Sequence, residues 1–284
     1  MDINLAIAER ARAGEPLTAA EIDELAATDV LSLGMLADEV RRARVGENVT
    51  FVRVHELRAT EASVPEAAGE IRLVELPATL DDAVELVRRG RRLAGDRLLA
   101  GFSLADVIER ANSGWGDAGS VFTALKAAGL DAIAEAPLDR LANAREALDL
   151  SARAGLAVRC LSFQKPIGDG RAASLITIRT LASSTPIATV APLPREQSVT
   201  VPTTGYDDVR MVALARLVLA GVPNIQVDWA QYGAKLAQVA LTFGANDVDR
   251  VSCVDDESLG RRRTSVEDVR RNIVAAGFTP VERR

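Results

Sequence analysis

The sequence predicts an α/β fold, a (β/α)8-type (TIM-like) barrel with an N-terminal helical cap. After Gly46, eight short runs of β-branched and aliphatic residues alternate with amphipathic stretches of helical period. Strands that alternate with helices pair in parallel through βαβ crossovers. Several of the helical stretches end in glycine, which is the expected residue just after a helix. The length of 284 residues fits one barrel.

The eight predicted strands and the helices between them account for the chain from residue 47 onward. The strands are expected at residues 49–55, 70–76, 97–103, 131–136, 156–163, 185–193, 224–230 and 247–254. The helices are expected near residues 80–94, 117–128, 138–154, 168–183, 206–220, 231–243 and 265–276. A doubly wound open sheet is the competing fold, but no glycine-rich turn follows the first strand. We therefore predict one compact domain, in which a cap of residues 1–46 precedes a barrel of residues 47–284.

The segment before the barrel has the pattern of helices only. Thr18, followed three residues later by Glu21, forms a capping box that begins one helix. Asp29 is the expected N-cap of the next helix. The apolar side of that helix is predicted to consist of Leu31, Leu33, Leu36 and Val40.

Composition and charge exclude several classes of protein. A net charge of −6 and the lack of a long basic run argue against nucleic-acid binding through phosphate contacts. Two distant cysteines, Cys160 and Cys253, form neither a disulfide framework nor a metal-spaced cluster. The first residues are charged throughout, unlike a signal peptide, and no apolar stretch is long enough to span a bilayer. We therefore expect a cytoplasmic protein without a membrane or nucleic-acid partner.

The segment of residues 202–250 contains three short sequence motifs in a fixed order. These are Thr203-Thr204-Gly205-Tyr206-Asp207-Asp208, Asn224-Ile225-Gln226 and Gly244-Ala245-Asn246-Asp247. The segment resembles aminofutalosine synthase, a radical SAM enzyme of menaquinone biosynthesis. It is similar, more distantly, to dehypoxanthine futalosine cyclase and the deazaflavin (FO) synthases. Residues 29–51 and the closing AAGFTPVERR also resemble that family. The resemblance implies a radical SAM barrel, with an iron–sulfur cluster and S-adenosylmethionine as cofactors.

The segments that follow the first two predicted strands, where the family binds its cofactors, depart from the family pattern. After its first strand the family carries Cys-x3-Cys-x2-Cys, whereas residues 55–66 of this chain contain no cysteine. Thiolates hold such clusters by direct coordination. After the next strand the family has a Gly-Gly pair that approaches S-adenosylmethionine, and this chain has Glu75-Leu76-Pro77. We therefore expect no cofactor, with both the cluster and S-adenosylmethionine absent.

Residues at the carboxyl ends of the strands face the mouth of a barrel, where such folds place function. Those positions hold His55, Glu56, Arg58, Glu75, Phe102, Ser103, Glu135, Gln164, Lys165, Arg195, Glu196, Gln226, Asp228, Trp229 and Asp255. The only histidine, His55, is a candidate general acid or base, and its alternative is a rim residue. Glu75 and Glu135 are candidate paired carboxylates.

The candidate substrate-binding residues are Arg195, Thr203, Thr204, Gln226, Asp228 and Trp229. Each of the last five has a structural alternative. The threonines precede a helix and can cap it, and Gln226 can pair within the barrel. Asp228 and Trp229 alternate along a strand, so one of them faces the mouth, and the tryptophan can instead lie in the core. Asn246 and Asp247 precede the last strand at the base of the barrel and are interpreted as structural.

Three functions remain open at this point. The first is a cluster-less relative of aminofutalosine synthase that binds a menaquinone (futalosine) pathway metabolite or supports that pathway. The second is a non-catalytic partner of an authentic, paralogous radical SAM enzyme. The third is a cluster-independent acid/base enzyme that acts on a small polar substrate. The partner is accordingly a small-molecule ligand or the paralogue, and the pattern predicts no oligomeric state.

Overall fold

A computed structural model describes residues 3–196, 203–254 and 266–283, and these form a parallel β-barrel surrounded by helices. Its strands are β1 (Asn48–Leu57), β2 (Glu70–Leu73), β3 (Leu98–Ser103), β4 (Ala132–Pro137), β5 (Ala157–Val158), β6 (Leu161–Phe163), β7 (Thr189–Pro194), β8 (Asn224–Asp228), β9 (Asp247–Ser252) and β10 (Thr279–Glu282). All eight strands expected from the sequence are present. The predicted fold class is therefore confirmed.

The barrel closes because β9 pairs with β1, with Thr50 opposite Asp247. The fifth position of the wall is shared by two short strands, since both β5 and β6 pair with β4. Every pairing is parallel, as crossover connections require. β10 was not expected from the sequence; it pairs with the first half of β1, and β2 pairs with the second half.

The helices follow the predicted alternation with the strands. They are α1 (Leu5–Ala13), α2 (Ala19–Ala27), α3 (Val30–Val45), α4 (Leu80–Ala94), α5 (Leu104–Arg110), α6 (Ala118–Ala127), α7 (Ala144–Arg153), α8 (Arg171–Ala182), α9 (Gly205–Val218), α10 (Trp229–Thr242) and α11 (Val266–Ala275). α5 and the π-helical turn that follows it, Ala111–Trp115, were not predicted. Residues 58–69, between β1 and β2, contain no helix, so the first crossover is a loop.

The three N-terminal helices pack on the second half of the barrel. α3 contacts α9 and α10, and α2 contacts α8 and α9. The predicted capping box of Thr18 and Glu21 is present, and Asp29 caps α3 through the backbone N–H of Ser32. Leu33, Leu36 and Val40 are buried as expected. The expectation for Leu31 was wrong, because its side chain lies on the solvent side of α3 and is 67% exposed.

α3 lies very close to α10 at one point. A Cβ atom on Gly34 would come within 2.6 Å of the Phe243 ring, so only glycine fits between the helix and the ring. None of the helices in the described residues is long and apolar enough to cross a membrane.

Candidate functional site

A cavity of about 420 Å³ opens at the carboxyl ends of the strands. It is lined by four guanidinium groups, those of Arg58, Arg72, Arg195 and Arg250. The carboxylates along its wall belong to Glu56, Asp106, Glu135 and Asp249. Its apolar wall consists of Leu73, Val74, Phe102 and Ala134, and Ser103 and Gln164 complete the lining. We call this the mouth cavity; it lies where barrels of this type place their ligands.

The floor of the mouth cavity is a buried network of ion pairs. Arg72 Nη2 lies 2.7 Å from Glu70 Oε1, and its Nη1 lies 3.0 Å from Asp249 Oδ2. Arg159 approaches the second Glu70 oxygen at 3.3 Å. Glu70 and Asp249 are almost inaccessible to solvent. Burial works against the charge on Asp249, but Arg72 beside it holds the pKa of this carboxyl well below its usual value.

A second network lies above it and joins β4, β7, β8, β9 and β1. Arg195 donates from Nε to Glu135 at 2.9 Å and from Nη1 to Asp228 at 3.2 Å. Arg250 lies 3.7 Å from Asp228 and 2.6 Å from Glu56. Burial raises the pKa of the Asp228 carboxyl, and the two guanidinium groups oppose that rise. In this network the guanidinium groups of Arg195 and Arg250 are therefore shared by three carboxylates.

Backbone strain is concentrated at the same cavity. Phe102 has φ 61° and Arg250 has φ 54°, and they are the non-glycine residues with positive φ in the described part of the chain. Such conformations are costly for residues with a Cβ atom and persist where the surrounding structure holds them. Ser103 Oγ and Arg250 Nε, next to or within these strained residues, are buried without a hydrogen-bond partner among the described residues.

Three of the predicted site residues come together at this end of the barrel. Glu135 and Arg195 line the mouth cavity. The Arg195 guanidinium donates to both Glu135 and Asp228 and so links the two carboxylates. Glu56, Arg58, Phe102, Ser103 and Gln164, which were also expected at the mouth, line the cavity. Asp255 lies outside the described residues.

His55 does not face the mouth, which corrects its expected position. Glu56 points into the barrel, so His55, the residue before it in β1, points outward. Its Nε2 lies 3.3 Å from Glu61 and its Nδ1 lies 3.9 Å from Cys253 Sγ. His55 is therefore poorly placed for acid/base chemistry on a ligand in the mouth cavity.

The expected carboxylate pair of Glu75 and Glu135 does not form. Glu75 is exposed beyond the end of β2 and is not part of the cavity lining, whereas Glu135 accepts hydrogen bonds from Arg195 and Ser162. The carboxylates near Glu135 are instead Asp228, through the shared arginine, and Asp249 on the cavity floor.

The remaining predicted binding residues lie away from the mouth cavity, and Gln226, Trp229 and Thr204 take up their structural alternatives. Gln226 donates to Asp247 at 2.6 Å deep in the barrel. Trp229 is buried in the apolar core at the start of α10. Thr204 caps α9 and forms a capping box with Asp207, and Thr203 lines a separate cavity of about 30 Å³.

Charged side chains inside the barrel on β2 and β9 were not among the predicted site residues. Glu70 and Arg72 on β2, and Asp247 and Asp249 on β9, are charged residues two positions apart within strands. Side chains two apart on a strand share a face, so this spacing indicates a polar barrel interior. Charged residues at this spacing in a short strand are therefore the sequence signal for this part of the site.

Known proteins are similar to this chain in sequence over its C-terminal third and in structure over most of its length. Residues 188–284 match the family model described as CofH/MqnC C-terminal region. The relationship to FO synthase-like proteins, expected from residues 202–250, is confirmed over this C-terminal third. A 5-amino-6-(D-ribitylamino)uracil–L-tyrosine 4-hydroxyphenyl transferase of Methanocaldococcus jannaschii is 36% identical over 101 residues, or 33% of this chain and 28% of that relative. The enzyme of the same name from Archaeoglobus fulgidus is 39% identical over 85 residues, or 28% of this chain and 25% of the relative.

The chain therefore matches about a quarter of the length of these curated relatives. Among solved structures, methylornithine synthase aligns with a TM-score of 0.69 and 14% identity over 97% of both chains. The FeFe-hydrogenase maturase HydG from Carboxydothermus hydrogenoformans aligns with a TM-score of 0.65 and 14% identity, over 97% of this chain and 78% of that one. At such identities the structural likeness establishes the fold alone.

Proposed function

We propose that this chain is a radical SAM-like barrel, related to aminofutalosine synthase, that works without an iron–sulfur cluster and binds a small polar metabolite in the mouth cavity. A futalosine-pathway metabolite is the first candidate. The observation that carries the proposal is a cavity of about 420 Å³ whose charged walls are already fixed by ion pairs. Preorganised polar groups beside an apolar wall are typical of sites for small ligands.

The thiols of the chain support the cluster-less part of the proposal, because they do not fit a four-iron cluster. The full sequence has two cysteines, and the loop of residues 58–69 after β1 has none. Cys160 is buried between β5 and β6, where burial raises the pKa of its thiol to about 12. Cys253 lies beside His55, on the outer side of the barrel wall. Such a cluster needs several thiolates that converge on one site, and two thiols on different sides of the barrel wall do not supply them.

The charges around the cavity favour a ligand with two different ends. Glu135, Asp228 and Glu56 share two arginines, so this side suits an amine or another hydrogen-bond donor. The backbone N–H of Arg58 at the rim donates to Glu61, but its guanidinium group forms no ion pair among the described residues, so it suits an anionic or carbonyl group. The curated relatives are named for L-tyrosine and 5-amino-6-(D-ribitylamino)uracil, and both belong in a ligand panel beside the futalosines.

Titration calorimetry tests metabolite binding. The panel is aminofutalosine, dehypoxanthine futalosine, L-tyrosine, 5-amino-6-(D-ribitylamino)uracil and S-adenosylmethionine. We expect one of the metabolites to bind and Arg58→Gln to weaken that binding by about 10-fold or more, the typical effect of losing a charged hydrogen bond. Arg88→Gln on the exposed face of α4 makes the same charge change away from the cavity and should leave the affinity unchanged. If no metabolite binds, the proposal is wrong and the partner role gains support, which a pull-down with the authentic synthase then tests.

Anaerobic reconstitution with iron and sulfide tests the cluster-less part separately. We expect the gel-filtered protein to show neither the visible absorption of a cluster nor stoichiometric iron, because the loop after β1 offers no thiolate. Four irons per chain, with binding of S-adenosylmethionine, would overturn this part of the proposal.

An acid/base enzyme is the second candidate, and the environment of Asp228 favours it. Its carboxyl is buried at the mouth, its pKa is raised, and Arg195 links it to Glu135. If the protein converts a bound metabolite without iron or reductant, Asp228→Asn should lower kcat by about 100-fold or more. His55→Ala should leave kcat nearly unchanged, because His55 faces outward. A loss of activity in the histidine variant alone would contradict this assignment.

A further inference from the structure

Three side chains that can act together chemically meet on the outer face of β1. The first crossover, residues 58–69, contains no helix, and the outward-facing His55 of β1 lies beside this loop. Glu61 of the loop approaches His55 from one side. Cys253 approaches it from the other, because β9 pairs with β1 and Cys253 directly follows β9. A thiol, an imidazole and a carboxylate therefore lie in a row outside the mouth cavity.

The imidazole of His55 lies between the other two groups. Its Nδ1 atom is 3.9 Å from Cys253 Sγ. Its Nε2 atom is buried, forms no hydrogen bond among the described residues, and lies 3.3 Å from Glu61 Oε2, at the distance of an ion pair. The backbone N–H of Arg58 donates to the same Glu61 oxygen at 2.9 Å and so fixes the carboxylate. This is the order of a nucleophile, its base and the group that orients the base.

The Glu61 carboxylate determines which nitrogen of His55 carries the proton. An unprotonated Nε2 would turn its lone pair toward the Glu61 oxygen, so the proton of the neutral ring lies on Nε2. The lone pair of Nδ1 then faces the Cys253 thiol and can accept its proton. The imidazolium that results is stabilised by the carboxylate on one side and by the thiolate on the other.

Cationic groups from two other parts of the chain also face the thiol. Burial raises the pKa of the Cys253 thiol and Glu61 adds a small part to that rise, whereas Arg53 and Arg97 oppose it. The Arg97 guanidinium donates to three backbone carbonyl oxygens and forms no ion pair in the part of the chain that the structure describes. Reactive thiols typically lie in partly exposed, electropositive surroundings, and Cys253 is partly exposed.

We propose that Cys253 is a site of thiol–disulfide exchange, with His55 as its base and a small anionic disulfide as its substrate. The thiol proton passes to His55, and the Cys253 thiolate attacks one sulfur of the disulfide. A mixed disulfide forms on Cys253 while the sulfur–sulfur bond of the substrate breaks. The leaving thiolate takes the proton back from His55, so one thiol and one disulfide give one thiol and one disulfide. This proposal is independent of what the mouth cavity binds.

Reaction with glutathione disulfide, followed by intact-protein and peptide mass spectrometry, tests the proposal. We expect one glutathione to add to Cys253 and none to Cys160, whose thiol is buried and has a pKa of about 12. The rate constant at pH 7 should fall by about 10-fold or more in His55→Gln, which loses the base. Glu61→Gln should also slow the reaction. Glu66→Gln makes the same change at an exposed position of the same loop and should leave the rate unchanged.

The pH dependence of the rate distinguishes an assisted thiol from an ordinary one. The wild type should keep part of its rate below pH 7, because the thiol proton passes to His55. In His55→Gln the rate should fall about 10-fold for each pH unit, as for an unassisted thiol below its pKa. Arg53, Arg97 and Glu61 face the thiol in both proteins, so they do not cause the difference.

Circular dichroism and thermal unfolding establish that His55→Gln retains the fold before the rates are compared. Two results would overturn the proposal. One is a wild type in which Cys253 reacts no faster than the buried Cys160. The other is a folded His55→Gln variant with the rate and the pH profile of the wild type.

Discussion

Arg72→Met should lower the free energy of unfolding by about 3–5 kcal/mol, the usual consequence of removing one member of a buried ion pair. Arg72 is the cation that Glu70 and Asp249 share on the floor of the mouth cavity. Both carboxylates are almost completely buried, and methionine fills the space without supplying charge or donors. Arg159 reaches only Glu70, so Asp249 loses its nearest cation. Urea unfolding at neutral pH measures the effect.

The pH dependence gives this prediction a second readout. The pKa of Asp249 is depressed in the fold, so its stabilisation is present above the unfolded pKa of about 4 and is lost as the pH falls through the folded value. Removing Arg72 removes that depression. The deficit of the variant should therefore be largest at neutral pH and shrink toward pH 4, as Asp249 takes up a proton.

Matched variants distinguish the buried network from a general loss of charge. Arg88→Met on the exposed face of α4 should change stability by less than about 0.5 kcal/mol. Adding Asp249→Asn to Arg72→Met should recover part of the loss, because one uncompensated charge disappears. Equal stability of wild type and Arg72→Met at pH 7 would contradict the structural role assigned to this network.

Asn246→Ala should cost about 2–4 kcal/mol at the opposite end of the barrel. The Asn246 Oδ1 atom accepts from Arg216 Nη2 at 2.6 Å and from the backbone N–H of Ile225 at 2.9 Å. Arg216 is buried, and its other partners are the carbonyl oxygens of Gly244 and Pro223. Alanine would leave one buried N–H without an acceptor and a buried cation with one partner fewer. Thermal unfolding measures the loss.

Asn246→Asp is the informative control. It keeps an oxygen that can accept both hydrogen bonds and gives Arg216 a carboxylate, while it loses the bond that Asn246 donates to Asn224 at 3.0 Å. We expect this variant to lie between wild type and Asn246→Ala. If both variants have the same unfolding temperature as the wild type, Asn246 is not the residue that organises the base of the barrel.

These two positions show how the barrel divides its polar interior. At the base, Asn246 and Asp247 join β8, β9, α9 and Arg283 through side-chain hydrogen bonds. At the mouth, Arg72 and Arg195 hold carboxylates from four strands in place. Ion pairs that are fixed before a ligand arrives reduce the reorganisation that binding requires. The interpretation of Asn246 and Asp247 as structural agrees with their partners.

Much of the fold could be predicted because hydrophobic period and helix caps are local. The alternation of strands and helices, the capping box at Thr18 and the cap at Asp29 depend on residues a few positions apart. β10 could not be predicted in this way. It is four residues long, and its pairing with Asn48–Phe51 depends on a partner more than 200 positions away.

The site was predicted in part, and its errors have a common cause. Glu135, Arg195 and Asp228 lie at the mouth as expected, because the carboxyl end of a strand always lies there. His55 was misplaced because β1 continues to Leu57, beyond the predicted end at residue 55, and strand alternation then turns the histidine outward. Glu75 was misplaced because β2 ends at Leu73, two residues before it. A shift of one or two residues in a strand reverses the face or removes the side chain from the barrel.

Three features followed from the sequence alone: the parallel barrel with a helical cap, the relationship of residues 188–284 to FO synthase-like proteins, and the presence of two cysteines. Each of these features depends on local pattern or on residue identity, and neither requires knowledge of which distant residues come into contact. Which charged side chains pair with each other depends on the three-dimensional fold. Arg72 and Asp249 are 177 positions apart and Arg195 and Glu135 are 60 apart, and their pairing depends on closure of the sheet between β9 and β1. Ion pairs act over a few ångströms, so strand register, rather than sequence spacing, determines their partners.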